Sequence, residues 1–295
     1  MGHSSIPVDL LNPGQVFACM GFLEAAETLY GPAEGGFRWE AAHDTAVRFE
    51  LTAEGGDVPV AGILEFVANA EVFAVAPSGW SPEKGPINHQ VIIENGNCFP
   101  AQRPQATSLP IALKGDSGIE VHLGHWIDNS SRDAFKLYAG NDYRSAWNIA
   151  CTQIQGRLGR KHKVEIPGVA HLWEQAKHEL IADPLNVTVP MGGTFNLDAR
   201  CAWDSIDTGY SPNTHKQKVT GSPIVELMGA WGLENTRPYR RDVRYYRYAV
   251  WATSLPPVLA RPAFANAIDT FEHRIFSFML GESGENKIVQ YAEEE

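Results

Sequence analysis

Cysteine is scarce in this chain. Only Cys19, Cys98, Cys151 and Cys201 are present, each far from the others, and no CxxC pair occurs. That removes zinc-knuckle and thioredoxin-like chemistry and leaves buried reduced thiols as the expectation. Long apolar runs are absent too, none approaching the roughly 20 residues of a membrane span. The start of the chain has no charged region followed by an apolar stretch, so no signal peptide is expected. Met1-Gly2 opens as a myristoylated chain would, but Ile6 stands where that pattern needs Ser or Thr. A cytoplasmic protein with no membrane partner is the resulting expectation. There is no GxSxG elbow, no GxxxxGK[ST] phosphate loop and no GxGxxG fingerprint, so the common signatures of hydrolase, NTPase and dinucleotide chemistry are missing. Excess positive charge is also lacking. With 24 Lys and Arg against 35 Asp and Glu, the formal net charge is −11, which argues against a free-standing nucleic-acid binder.

What is present is turn-rich and mixed. At 295 residues, with 27 glycines and 19 prolines, the chain favours many short elements over a helical bundle. Asn12-Pro13 reads as a helix start and Gly31-Pro32 as its stop, with an almost wholly apolar helix between them. Gly14, Ala18, Gly21 and Ala25 form a small-residue face suited to close packing on a sheet. Val47, Phe49 and Leu51 alternate as a half-buried strand. A helix is predicted around 61–70, a strand near 72–75, and an irregular insertion over 77–110 with one strand at 90–94. A hairpin follows over 110–125, then a strand at 135–139, a helix over 143–158, an amphipathic helix over 171–181, and short strands at 187–189 and 194–197. The helix from Pro223 to Trp231 repeats the first in design, with Ser222 as cap and Gly232 as stop. A strand over 245–254, a helix or crossover over 257–268 and a closing hairpin of 274–280 with 287–292 complete the pattern. The expected fold class is α+β, with mixed or largely antiparallel sheets and packed helices, and room for two ferredoxin- or RRM-like units. It reads as a single domain over 1–295, with any division into two lobes falling near residue 183.

Three histidine patterns invite metal chemistry, and each has a plainer explanation. His43-Asp44 resembles the signature of HD phosphohydrolases but has no further ligands at suitable positions. His171, Glu174 and His178 fall on one helical face, which serves equally as a hydrated face opposite Leu172, Trp173, Ala176 and Leu180. His122 and His125 sit three apart in a strand and point to opposite sides. No cofactor, metal or catalytic group is expected.

The clearer signal is a basic, aromatic-rich stretch between Trp203 and Trp251. Its first part, a loop, carries His215, Lys216 and Lys218. Its second is strand-like, with Arg240, Arg244, Tyr246 and Tyr248 on one face and Arg241, Val243, Tyr245 and Arg247 on the other. Arginines can fork onto phosphates and tyrosines can stack on unpaired bases. The same pattern fits an exposed sheet face paired with acidic residues of this chain. A second basic run, Arg157, Arg160, Lys161, His162 and Lys163, suits phosphate contact or a solvated loop.

Three stretches together resemble one family: VDLLNPGQVFACMGFLEAAETLYG near the start, HWIDNSSRDAFKLYAG in the middle, and FNLDARCAWDSIDTGYSPN followed by PIVELMGAWGLENTRP. They are similar to accessory effector proteins of type I-G (formerly I-U, Dpsyc-type) CRISPR loci, over nearly the whole chain. The resemblance implies a non-catalytic component of an RNA-guided antiviral surveillance complex. The implied partners are other effector subunits, CRISPR RNA and target DNA. No catalytic residue is transferred. Trp126, Arg132 and Lys136 match the middle motif, and Arg200, Asp207, Ser211, Asn213 and His215 the third, as candidate nucleic-acid or subunit contacts. The acidic balance favours a protein-docking role beside any RNA contact. The other readings left open are an acidic adaptor that touches no nucleic acid, and a metal-dependent nuclease or hydrolase.

Overall fold

The structure, a computed structural model, describes residues 1–75, 110–125, 145–159, 164–201, 219–283 and 286–295. Among these the fold is α+β: seven α-helices with small sheets whose strand pairings are all antiparallel.

The chain begins with a strand that the hydropathy pattern did not announce, β1 (Gly2–Asp9), whose Ser4, Ile6 and Val8 face inward. Then come α1 (Pro13–Tyr30), β2 (Ala33–Arg38) and β3 (Ala46–Ala53). β3 lies between β1 and β2, with Ile6 opposite Phe49 and Phe37 opposite the same residue. This is a split β-α-β arrangement, the opening of a ferredoxin-like unit. It is not completed, because after α2 (Pro59–Asn69) the next strand, β4 (Glu71–Ala74), pairs with β5 (Ile111–Lys114) instead of returning beside β1. β5 in turn pairs with β6 (Glu120–Leu123).

The middle of the chain holds α3 (Ser145–Gln155), the two-strand ribbon β7 (Arg157–Leu158) and β8 (Val164–Ile166), and two short helices, α4 (Val169–Gln175) and α5 (Lys177–Ala182). The helix expected over 143–158 stops at Gly156, which adopts φ +74°, a left-handed conformation that glycine takes at little cost. The single amphipathic helix expected over 171–181 is broken at Ala176 (φ −137°, ψ 35°). β9 (Val189–Pro190) pairs with β10 (Thr220–Gly221), while 194–197 forms no strand and leads into a 3-10 turn at Ala199–Cys201. The expected strands at 90–94 and 135–139 lie outside the described residues.

The last part contains α6 (Pro223–Asn235), β11 (Tyr239–Arg240), β12 (Tyr245–Trp251), α7 (Pro257–Phe264), β13 (His273–Ser283) and β14 (Asn286–Glu294). Its four strands form a meander in sequence order, β11-β12-β13-β14, not a second split unit. The two larger sheets are stitched where Gly35 and Leu255 exchange backbone hydrogen bonds of 2.9 Å each, and where Trp251 Nε1 donates to Gly35 O.

At the centre α1 and α6 pack side by side. The small-residue face of α1 serves α6 at Gly21 and, at Gly14, the irregular backbone at Leu197, not the expected sheet. A Cβ on Gly21 would stand 1.9 Å from Met228 O, and one on Gly232 would stand 2.3 Å from Phe17 O. Gly232 is therefore an interior contact residue and α6 runs past it, ending at Asn235. One buried hydrophobic cluster extends from Ile6 to Ala292. Within it Phe17, Tyr248, Phe264, Phe276 and Phe278 make edge and stacked ring contacts at 5.6–6.3 Å.

Candidate nucleic-acid interface

Two polar arrangements stand out, one inside and one outside. The internal one lies where the N-termini of α1 and α6 meet. Asn12 caps α1 by accepting from Gly14 N, and Ser222 caps α6 by accepting from Val225 N. Asp198, fully buried, accepts from Asn12 Nδ2 on Oδ1 and from Ser222 N on Oδ2, each at 2.9 Å. Glu226, also fully buried, accepts from the backbone N–H groups of Phe195, Leu197 and Asp198. Both carboxylates therefore sit at the positive ends of two helix dipoles. Burial pushes the Glu226 carboxyl up to about 7, against the lowering effect of the N–H groups that face it.

Arg200 completes this cluster. It reaches both oxygens of Asp198, through Nε at 2.9 and 3.1 Å and Nη2 at 2.8 Å, and donates to Leu185 O. These bonds give the guanidinium, 21% exposed, a structural role beside the contact role that the family resemblance proposed for Arg200.

The external arrangement is the β11–β12 hairpin, which carries the basic-aromatic pattern. Strand alternation sorts its side chains. Tyr246 and Tyr248 turn inward and are fully buried, Tyr246 stacked on Phe278 at 5.8 Å and Tyr248 bonded through its hydroxyl to Leu10 O. Tyr246 offers no ring face to a base, so its expected stacking role is corrected. Its register partner in β11 is Arg240, whose Nε donates to Asp242 O across the turn. On the outer face stand Tyr245 and Arg247, with Tyr239 directly opposite Arg247.

The arginines meet carboxylates of the same chain. Arg247 forks onto Glu295 through Nε–Oε1 at 2.7 Å and Nη2–Oε2 at 2.6 Å, and Arg241 Nη1 adds a third contact to Oε1 at 3.3 Å. Arg244 pairs with Glu282 at 2.8 Å. With Val243, Leu280 and Lys287, that pair lines a shallow cavity of about 210 Å³. The Arg244–Glu282 pair is solvent-exposed, and such pairs contribute only about 0–1 kcal/mol, whereas the Arg247 and Glu295 side chains are 26% and 22% exposed and bonded at two points. The hairpin is thus locally balanced in charge, with the exposed Arg241 and Arg244 held weakly enough to exchange partners.

Arg157 lies in a different sheet, on the β7–β8 ribbon, 3.6 Å from Glu165. Of the other expected contacts, Trp126, Arg132, Lys136, Arg160, Lys161, Lys163, His215, Lys216 and Lys218 lie outside the described residues, as do Asp207, Ser211 and Asn213. Tyr239, Tyr245 and Glu295 were missed as site residues. The signal for the tyrosines was in the alternation, which places Tyr245 beside Arg247 on the outer face.

The histidine patterns resolve locally. Asp44 accepts from the N–H groups of Glu40 and Ala41, and so shapes a turn. The break at Ala176 separates His178 from the helix that carries His171 and Glu174. His125 is buried and its pKa is lowered to about 3, first by burial and then by the charge of Arg237. Beside it Glu234 accepts from the Gly124 and His125 N–H groups. Among the described residues no group of three or more His, Cys, Asp or Glu could hold a metal ion, and no helix is long and apolar enough to cross a membrane.

Comparison with protein-family models, curated protein sequences and solved structures gives no match.

Proposed function

We propose that this protein is a non-catalytic subunit or accessory factor of a type I CRISPR surveillance complex, working in the cytoplasm. It contacts the guide RNA or target DNA backbone through the β11–β12 hairpin and sister subunits through its acidic surface. The reading rests on the three family-like stretches. The observation that carries the nucleic-acid contact is the arginine-rich hairpin, where the exposed Arg241 and Arg244 meet the carboxylates of Glu295 and Glu282, which a phosphate could replace. Phosphate backbone contact by Arg and Lys is salt-sensitive and independent of sequence, which suits a component that leaves base reading to guide pairing.

The test replaces Arg240, Arg241 and Arg244 with alanine and measures retention of guide RNA and target DNA in the assembled complex over a salt series. The expected result is weaker binding with a shallower salt dependence. Unchanged binding in the triple variant sinks the reading.

A second reading, an acidic adaptor with no nucleic-acid contact, draws on the same ion pairs, since Glu282 and Glu295 already neutralise the arginines. Association with sister subunits that survives nuclease treatment but fails at high salt favours it.

A further inference from the structure

Glu294, the last residue of β14, and Glu295 just after it turn to opposite sides, and each meets an arginine fork. The two forks differ in kind. Arg274 reaches Glu294 through Nε at 2.6 Å and Nη2 at 2.7 Å, and its guanidinium lies 5.6 and 5.3 Å from the ring centres of Trp39 and Phe276. It is 9% exposed, and its bond to Glu294 holds that carboxyl below the usual range. This fork is part of the interior.

The Arg247–Glu295 fork is partly open to solvent, with the Arg247 side chain 26% exposed against 8% for that of Arg274, and a second guanidinium, the exposed Arg241, converges on the same carboxylate. Two guanidinium groups bracketing one pair of oxygens is the geometry by which arginine recognises a phosphate as well as a carboxylate. Exposed tyrosines flank it on the same face. Tyr239, 54% exposed, lies directly across the ladder from Arg247, and Tyr245, 49% exposed, lies two residues before it. An aromatic surface beside an anion fork is what single-stranded nucleic acid requires, a charge for the phosphate and a ring face for the adjoining base. Glu293, exposed on the same outer face opposite Ser277, adds negative charge nearby that an incoming anion must overcome.

We propose that Arg241 and Arg247 form a phosphate clip for single-stranded nucleic acid, with Tyr239 and Tyr245 as its stacking surface, and that Glu295 occupies the clip as an intrachain competitor. The proposal rests on the nucleic-acid reading of the hairpin. It adds that the free protein is self-occupied, so that nucleic acid binds by displacing a carboxylate.

The experiment is a binding titration of the full chain with a fluorescein-labelled oligouridylate at low salt. It compares the unaltered protein with Glu295→Gln, Arg247→Ala, Arg247→Lys and the Arg247→Ala/Glu295→Gln double variant, each checked for folding by circular dichroism. Releasing a partly exposed ion pair predicts about fivefold tighter binding for Glu295→Gln. Arg247→Ala should weaken binding, and Arg247→Lys should retain only part of it, because the charge stays but the fork is lost. In the Arg247→Ala background the Glu295 change should have no effect. If Arg247→Ala weakens binding but Glu295→Gln leaves it unchanged or weaker, the competitor proposal is overturned while the nucleic-acid reading stands. If neither change moves the affinity, or no form binds, both fall. If poly-glutamate of matching length displaces the oligouridylate from Glu295→Gln as well as unlabelled oligouridylate does, the clip is a site for acidic protein and the phosphate proposal is overturned.

Discussion

Asn12 and Ser222, the caps of the two central helices, donate to opposite oxygens of one buried carboxylate, Asp198. At the other end of the same helices, Asn235 of α6 donates to Glu24 of α1, and Arg261 forks onto Glu24 at 2.6 and 2.7 Å. The helices therefore run parallel, their like dipole ends together, an arrangement that negative charge at the shared N-terminal end favours. Asp198 supplies it, and Glu226 adds to it once pH rises past about 7.

Removing one of these carboxylates should be costly. Asp198→Ala strands the Arg200 guanidinium and leaves the Ser222 N–H and the Asn12 amide without their partner. Loss of one member of a buried charged pair typically costs about 3–5 kcal/mol. Urea unfolding of Asp198→Ala should show a loss of that size, whereas Arg157→Ala, which removes an exposed pair, should lie within about 0.5 kcal/mol of the unaltered protein.

The helix contact predicts a reversal of the usual preference for alanine over glycine in helices, about 1 kcal/mol in alanine's favour at open positions. Gly21→Ala and Gly232→Ala would drive a methyl group into backbone atoms of the partner helix, so each should lower stability by more than that amount. Gly62→Ala is the comparison, because the atom it meets is the Tyr30 hydroxyl, 1.6 Å from the added Cβ and at the end of a side chain that can move aside. Denaturation midpoints falling well below the unaltered value at 21 and 232, and less at 62, are expected.

Glu226 and His125 set opposing pH dependences. The Glu226 carboxyl is raised from 4.5 to about 7, so between those values the folded state holds a proton that the unfolded state has released, and stability falls as pH rises through the window. His125 is lowered from 6.5 to about 3, so between those values the unfolded state holds the extra proton, and stability rises with pH. The two slopes oppose each other between about 4.5 and 6.5. Glu226→Gln should abolish the falling slope and leave stability rising with pH up to about 6.5. Denaturation of both proteins across a pH series checks this, reading the slope and not the absolute stability, which the lost acceptor lowers throughout.

Local chemistry made much of this fold readable in the sequence. Asn12-Pro13 and Ser222-Pro223 mark helix starts because cap and proline act within a single turn, and Val47, Phe49 and Leu51 mark a strand because burial alternates along it. What escaped depended on partners distant in sequence. The glycine face of α1 says only that something approaches closely, and Met228 decides that it is a helix. Gly232 looks like a stop until Phe17 O is found against it. β1 was missed because His3, Ser4 and Ser5 dilute its apolar signal, and only the ladder to β3 makes it a strand. The arginine hairpin was visible as composition, but its carboxylate partners, Glu282 of β13 and Glu295 just after β14, lie where β12 does not announce them.

The inward and outward faces of β12 should separate stability from binding. Tyr246 is fully buried against Phe278, so Tyr246→Ala removes a large core side chain and should cost about 3–5 kcal/mol, by analogy with other buried aromatic truncations. Tyr245 is half exposed beside Arg247, so Tyr245→Ala should leave the unfolding midpoint nearly unchanged. On the proposed clip it should instead weaken oligouridylate binding by about 1–3 kcal/mol, the range for losing one stacked base. Tyr245→Phe keeps the ring and should bind as the unaltered protein does. Paired measurements of unfolding and binding on these three variants decide the matter. If Tyr245→Ala binds normally, the outer face is not a stacking surface, whatever the arginines beside it do.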